Sequence, residues 1–141
     1  TDKDKGVVVT VPSGYVDLGL SSGTYWKESN ESGFYNYDDA VSKFGDKLPT
    51  KEQLAELKNE CEWTLLGNGY KVTGPNGESI ILPAAGFRYC YGGVGDVGAY
   101  GFYWSSTPSD AYAARGLYFG PKGFDLDYGD RCGGRSVRLV Q

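Results

Sequence analysis

The spacing of apolar residues predicts two amphipathic helices in the first half of the chain. The inward stripes are Tyr37, Ala40, Val41 and Phe44 in the first helix and Leu54, Leu57 and Cys61 in the second. Asn36 is the expected N-cap of the first helix, and Gly45 is expected to end it. Thr50 followed three residues later by Gln53 is the pattern of a capping box, so the second helix should begin there.

After the second helix the helical spacing is lost, and β-prone runs between glycine turns predict short strands. The runs with a β pattern are residues 7–11, 15–20, 62–66, 70–73, 79–82, 124–128 and 136–140. The run at 124–128 alternates three apolar residues with Asp125 and Asp127, which predicts one apolar and one acidic face. Early helices and late strands indicate one α+β domain over residues 1–141, with residues 1–5 frayed and the terminal strands paired in one sheet.

Composition and charge narrow the possible functions. The chain of 141 residues has 14 basic and 18 acidic residues, a net charge of -4, which is the wrong sign for binding nucleic-acid phosphates. No apolar stretch approaches the roughly 20 residues of a membrane span, and no export signal opens the chain. Met is absent, so we expect a segment before Thr1, where such a signal would lie. His is also absent, which removes the usual catalytic triads and most zinc sites.

The three cysteines, Cys61, Cys90 and Cys132, allow at most one disulfide and one free thiol. No two of them have the close spacing of a zinc knuckle or a CxxC redox motif. Cys61 lies at the end of the second helical stripe, where a free cysteine behaves as a small apolar residue. The sequence leaves open which two cysteines pair.

Several strings along the chain resemble a single protein family. They are YVDLGLSSGTYW at 15–26, KLPTKEQLAELKNECEW at 47–63, NGYKVTGPNGESIILPAAGFR at 68–88, YGFYWSSTPS at 100–109, and LYF at 117–119 with SVRLV at 136–140. In this order they resemble the Fib-succ major paralogous domain family, which is common in gut Bacteroidetes and their phages. The resemblance implies a C-type lectin-like fold close to that of formylglycine-generating enzymes.

The same fold carries the variable proteins of diversity-generating retroelements, in which adenine-directed mutagenesis rewrites codons near the C-terminus. The resemblance implies that residues 111–135 are such a variable segment, set in a fixed frame of Leu117, Tyr118, Phe119, Leu126 and residues 136–140. The expected ligand-binding residues are Tyr112, Ala114, Arg115, Gly116, Gly120, Pro121, Lys122, Asp125, Asp127, Tyr128, Gly129, Asp130, Cys132, Gly133 and Arg135. The alternative is ordinary loop and strand-edge variation, with Gly and Pro placed by turn geometry.

The residues in this segment fit rewritten Asn codons with one exception. Changing the two adenines of an AAC codon reaches Asp, Gly, Arg, Pro, Cys and Ala, but not the lysine at Lys122. Carboxylates at Asp125, Asp127 and Asp130 alternate or nearly alternate along a strand, and we expect them to be solvated, with no metal site. The glycine-rich residues 92–100 are a second candidate for the binding face.

These observations predict an extracellular receptor or adhesin domain on a cell or virion surface, without catalysis, cofactor or metal. The expected partner is a protein or glycan of a cell surface, not nucleic acid and not the membrane itself, and the oligomeric state is left open. Two alternatives remain: an assembly module of a surface appendage, and an enzyme that binds copper through Cys132. The binding interpretation predicts that changing Arg115, Asp125, Asp127 or Arg135 shifts stability by no more than about 0.5 kcal/mol.

Overall fold

The computed structural model describes residues 10–141, and within them lie two α-helices and ten short strands. The helices are α1 (Tyr37–Phe44) and α2 (Lys51–Glu60), with a 3-10 turn at Gly45–Lys47 between them. The strands are β1 (Tyr15–Asp17), β2 (Tyr25–Lys27), β3 (Glu62–Leu66), β4 (Gly69–Thr73), β5 (Ser79–Pro83), β6 (Phe87–Arg88), β7 (Val94–Gly95), β8 (Gly101–Pro108), β9 (Ala113–Gly120) and β10 (Gly123–Asp130). This mixture of two helices and small antiparallel sheets confirms the α+β class in its coarse form.

The expectations for the first residues fall mostly outside this range. The frayed segment at 1–5 and most of the strand at 7–11 lie outside the described residues. Thr10 and Val11, the described end of that run, belong to no strand. The run at 15–20 forms a strand only over its first three residues, β1, which pairs with β2.

Helix α1 has the predicted caps but buries a narrower stripe than predicted. The Asn36 side chain accepts a hydrogen bond from the backbone N–H three residues later, and Gly45 ends the helix at a φ of 55°. Tyr37 and Ala40 are buried, whereas Val41 is exposed. The inclusion of Val41 in the inward stripe was therefore wrong, because a helix that packs along one narrow line leaves its flanking positions in water.

Helix α2 begins at the predicted capping box. Thr50 Oγ1 accepts from the Gln53 N–H at 3.1 Å, and Gln53 Oε1 accepts from the Thr50 N–H at 2.9 Å. Leu54 and Leu57 are buried as expected. Cys61 is the C-cap residue, is free, and packs half-buried against the core, where burial raises the pKa of its thiol to about 11.

Two three-stranded antiparallel sheets carry most of the β-structure. One has the order β3-β4-β5, and its first hairpin turns at residues 67–68, close to the predicted position. The other has the order β10-β9-β8. Helix α2 contacts all three strands of this second sheet on its core side, and α1 contacts β8. The predicted variable segment thus supplies two of the three strands of the second sheet, which α2 supports from its core side.

The C-terminal run at 136–140 does not form the regular strand that the sequence predicts. It makes isolated bridges instead, a parallel one from Ser136 to Tyr103 and an antiparallel one from Val140 to Trp26. The segment passes from one sheet to another, so no single strand partners its whole length. The C-terminus pairs with β2. The predicted pairing of the two terminal strands involves residues 7–9, which lie outside the described residues, and stays a prediction.

Two buried clusters hold the domain together. The larger joins α2 to both three-stranded sheets, with Trp26, Tyr103 and Phe119 among its largest side chains. The smaller lies between α1, Trp104 and the C-terminal residues Val137 and Leu139. Among the described residues, no helix is long and apolar enough to cross a membrane.

Candidate functional site

Residues 111–135 include the β9–β10 hairpin, whose two faces have different surroundings. Because side chains alternate along a strand, one face directs its apolar residues into the larger core. These residues are Leu117, Phe119, Phe124 and Leu126. Arg115 and Tyr128 pair across the same face at its far end, beyond the core, where the guanidinium lies 5.7 Å from the ring centroid. Tyr128 is 65% exposed, so the predicted apolar face of β10 buries only its first two residues.

The opposite face of this sheet is half covered. Helix α1 and the C-terminal segment cover the part that carries Trp104 and Ala114. The rest we call the open face, and it is formed by Phe102, Tyr118, Asp125 and Asp127. Phe102, Tyr118 and Asp125 lie side by side across β8, β9 and β10. Tyr118 was expected in the core frame, but its place on this face leaves it half-buried and outside both clusters.

Arg135 is a buried support beneath the open face and not an exposed contact residue. Only 7% of its surface is accessible. Its two terminal nitrogens donate to both carboxylate oxygens of Asp127 at 2.8 Å each, which is the bidentate geometry that arginine favours. The guanidinium also lies over the rings of Trp104 and Phe102, at 4.7 and 5.2 Å from their centroids. This placement overturns the expectation that Arg135 and Asp127 are free of structural contacts.

Two glycines make room for that guanidinium. A Cβ on Gly116 would lie 2.6 Å from Arg135 Nη1, and a Cβ on Gly129 would overlap Arg135 Nη2. Any larger residue at either position would have to displace the buried ion pair. Gly116 and Gly129 were expected to be variable contact residues. In the structure Gly129 leaves room for Arg135, and Gly116 leaves room both for Arg135 and for the Tyr103 carbonyl oxygen, which a Cβ there would overlap.

The tip of the hairpin is exposed and carries charge of both signs. Pro121 and Lys122 form its two-residue turn, and both are exposed. Asp125 lies close to Lys58 of α2, with 3.2 Å between Oδ1 and Nζ. A backbone hydrogen bond from Leu126 and the neighbouring Lys58 ammonium lower the pKa of the Asp125 carboxyl. Asp125 therefore stays ionised at the rim of the open face.

A disulfide joins the end of this segment to the loop that follows β6. Cys132 pairs with Cys90, with the two Cα atoms 5.0 Å apart. The β6–β7 hairpin is thereby tied to the turn after β10, where Gly133 is half-buried. Neither sulfur is a thiolate in this state, so the copper interpretation of Cys132 would require reduction of the bond.

The predicted site residues are thus divided between surface and interior. The exposed ones are Tyr112, Arg115, Pro121, Lys122, Asp125, Tyr128, Asp130 and Cys132, and the half-buried ones are Asp127, Gly129 and Gly133. The buried ones are Ala114, Gly116, Gly120 and Arg135. In this conformation these four residues have little accessible surface, although Arg135 and Gly120 line grooves. Their assignment as ligand-binding residues stays a prediction.

The structure adds a row of aromatic rings that the predicted set does not include. The row consists of Tyr91, Tyr89, Phe87, Phe102, Tyr100 and Tyr118, and each ring contacts the next or a shared neighbour. The sequence signal was the alternation of Phe87, Tyr89 and Tyr91, which would place three rings on one side of an extended segment. In the structure only Phe87 lies in a strand, and Tyr91 lies in the turn after it. Residues 92–100, which were expected to form a second binding loop, contribute Tyr100 to this row. Strand β7 lies within these residues.

Two open grooves lie along the aromatic row. The first, of about 250 Å³, lies between β6 and the turn after β10, and Phe87, Tyr89, Phe102, Arg135 and the Cys90 end of the disulfide are among its walls. The second, of about 300 Å³, lies at the hairpin tip between Tyr100, Tyr118, Lys122 and Asp125. These volumes are at the small end of the range for ligand pockets.

The described residues contain no cluster of Cys, Asp or Glu arranged to hold a metal ion. Asp125 and Asp127 are engaged with Lys58 and Arg135, respectively. Asp130 lies at the other end of β10, at the rim of the first groove. The three carboxylates therefore do not converge on one point.

Replacing Arg135 with alanine is expected to lower the free energy of unfolding by about 2 kcal/mol, because hydrogen bonds to charged groups contribute about 1.5–3 kcal/mol. The matched control is Arg115→Ala in the same segment, where the exposed side chain should matter by no more than about 0.5 kcal/mol. Urea unfolding of both variants measures the difference. Equal small losses would mean that the Arg135–Asp127 pair contributes nothing to the fold.

Comparison of the chain with protein-family models, with curated proteins and with solved structures gave no match.

Proposed function

We propose that this chain is a non-catalytic ligand-binding domain of the receptor or adhesin type, with a C-type lectin-like scaffold and a variable surface within residues 111–135. The observation that carries the proposal is the separation of buried and outward side chains in the β9–β10 hairpin. Leu117 and Phe119 hold it to the core, and Arg135 braces its other face. The outward residues take little part in this packing.

The outward set has the chemistry of a recognition surface. Its members are Tyr112, Arg115, Lys122, Asp125, Tyr128 and Asp130, all exposed. Tyrosine and arginine supply large contact areas on a rigid support, which is the physical basis of antibody paratopes. Such residues can be exchanged at small cost in stability, because few buried contacts depend on them.

The disulfide supports a place outside the cytoplasm. Disulfides persist in oxidising compartments and are rare in cytosolic proteins. The Cys90–Cys132 bond lies beside the first groove, so it stabilises the surface that would meet a ligand. The proposed partner is a protein or glycan of another cell surface.

Deep sequencing of this locus and its flanks tests whether the surface is diversified by a retroelement. We expect a near-copy template beside a reverse transcriptase gene, with differences at adenines and concentrated in the codons of the outward residues. An invariant segment at 111–135 with no template would contradict diversification. It would favour an assembly module with one fixed partner instead.

A pair of matched libraries tests the division of the hairpin directly. One library randomises Arg115, Lys122, Asp125, Tyr128 and Asp130, and the other randomises Leu117, Phe119, Leu126, Asp127 and Arg135. We expect most members of the first library to remain folded on a yeast surface and to yield binders to unrelated target proteins. Members of the second should mostly lose display, because they disturb buried contacts. Equal loss of display in the two libraries would contradict the proposal.

A further inference from the structure

The aromatic row continues from the β6–β7 hairpin onto the open face as two groups of near-parallel rings joined by Phe87. Tyr91 and Tyr89 are stacked with 5.6 Å between centroids and 10° between planes. Tyr100 and Tyr118 each lie 6.3 Å from Phe102, at 18° and 22° to its plane. Phe87 links the two groups by edge-on contacts with Tyr89 and Phe102. Tyr91 is 88% exposed and extends the row into solvent.

Polar groups of both kinds stand at the rims of the two grooves. Asp130 and Arg88 line the first groove, so an acceptor and a donor face the same space. Asp125 and Lys122 do the same in the second groove. The glycine-rich turn at 133–134 adds backbone groups to the lining of the first groove. Each groove thus combines aromatic surface with paired donors and acceptors.

The charges along the grooves nearly cancel. Arg135 is already paired with Asp127, and Asp125 has Lys58 beside it. The remaining groups, Arg88, Lys122 and Asp130, leave an excess of one positive charge, on Lys122 in the second groove. A basic ligand therefore finds no uncompensated opposite charge, and an acidic ligand finds only one, to offset the loss of its own hydration.

From these features we propose that the aromatic row and its two grooves bind a neutral oligosaccharide, an assignment that rests on the proposed binding function and specifies its ligand class. A sugar ring has an apolar C–H face and a rim of hydroxyls. The electron-rich face of Tyr91 or Tyr100 receives the C–H groups, while Asp130 and Asp125 accept hydrogen bonds from hydroxyls. Two ring-sized grooves joined by the Phe102–Tyr118 stack suit several linked sugars rather than one.

The geometry favours a glycan over a protein partner at this site. Protein interfaces bury a broad, close-packed centre surrounded by a polar rim. Here the rings form a single row, and charged groups of both signs line the two grooves along it. The disulfide fixes the end of the row at Tyr89 and Tyr91, and the buried Arg135 packs against Phe102 in its middle, so little conformational entropy is lost on binding.

The test uses the domain on an array of neutral and acidic glycans, followed by titration calorimetry with the neutral oligosaccharide that gives the strongest signal. We expect binding to neutral members. Tyr91→Ala and Tyr100→Ala should each weaken it about tenfold or more, as loss of an aromatic anchor does. Tyr91→Phe keeps the ring and should retain affinity within about twofold. Ile81→Ala is the control for loss of an exposed apolar side chain, since Ile81 is 52% exposed and lies outside both the row and the outward set. Tyr112→Ala reports instead on the outward set of the β9–β10 hairpin.

Two results would overturn the assignment. One is an array with no neutral glycan bound, or with acidic glycans bound preferentially. The other is loss of binding in Tyr112→Ala but not in Tyr91→Ala or Tyr100→Ala, which would move the ligand to the outward set of the β9–β10 hairpin. Neither result bears on the binding function itself, which the locus sequencing and the paired libraries test. The proposed ligand class and the proposed binding function can therefore fail independently. Thermal unfolding of each variant confirms that the fold is intact.

Discussion

The double variant Cys90→Ser/Cys132→Ser is expected to lose about 4 kcal/mol of unfolding free energy at 25 °C, on the chain-entropy account of a cross-link. The two cysteines are 42 positions apart in the sequence, so the bond restricts a long segment of the unfolded chain. That segment includes the whole of β7, β8, β9 and β10. Urea unfolding of the variant and of the oxidised parent measures the loss.

Cys61→Ala is the matched control for this effect. Cys61 is free and half-buried, and its removal should change the unfolding free energy by no more than about 1 kcal/mol. A reductant added to the parent protein should lower its unfolding free energy by as much as the double substitution does. The same reductant should cause no further loss in the double variant. A double variant as stable as the parent would show that the bond does not restrict the unfolded chain in the expected way.

Arg138→Leu is expected to lower the free energy of unfolding by about 3 kcal/mol, because it leaves buried acceptors without donors. Arg138 is only 2% exposed. Its guanidinium donates to Asn30 Oδ1 at 2.8 Å, to the Lys27 carbonyl at 3.0 Å, and to the Ile81 carbonyl. One side chain thus ties the C-terminal segment to β2, to the loop after it and to β5.

The surroundings of Arg138 explain why leucine cannot replace it. Burial lowers the pKa of the guanidinium, and the neighbouring Tyr103 hydroxyl is itself so desolvated that its pKa rises to about 12. Arg138→Lys keeps the charge but offers fewer directed donors, and we expect an intermediate loss. Urea unfolding of the parent, Arg138→Lys and Arg138→Leu proteins gives the order of their unfolding free energies. A leucine variant at least as stable as the parent would mean that the apolar gain exceeds the cost of the unpaired carbonyls.

Local patterns were sufficient for the helices and for most hairpins. The Asn36 cap, the Thr50–Gln53 capping box and the turn at 67–68 involve residues within a few positions of each other. Their hydrogen bonds join residues close in sequence, so the residue pattern that favours them can be read from the sequence, while tertiary packing stabilises such short elements. The error at Val41 arose where packing, and not periodicity, set the width of the buried stripe.

The candidate site was only partly predictable for the same reason. The segment 111–135 does form a hairpin with exposed Arg115, Lys122 and Asp125. The sequence offered no way to see that Arg135 turns inward to Asp127, because that ion pair depends on space left between two strands by glycines. A charged side chain is usually exposed, and it is buried only where the folded chain pairs it with an opposite charge, as Asp127 does for Arg135.

By itself the sequence determined the α+β class, the two capped helices, the β4-centred hairpins and the acidic, histidine-free composition that disfavours nucleic acid and most zinc chemistry. Only the tertiary structure decided that Cys90 pairs with Cys132, that residues 136–140 bridge separate sheets, and that six rings meet in one row. Helix caps and turns are set by neighbours along the chain. Disulfides, ion pairs and binding surfaces join residues tens of positions apart, and their geometry exists only once the core has packed.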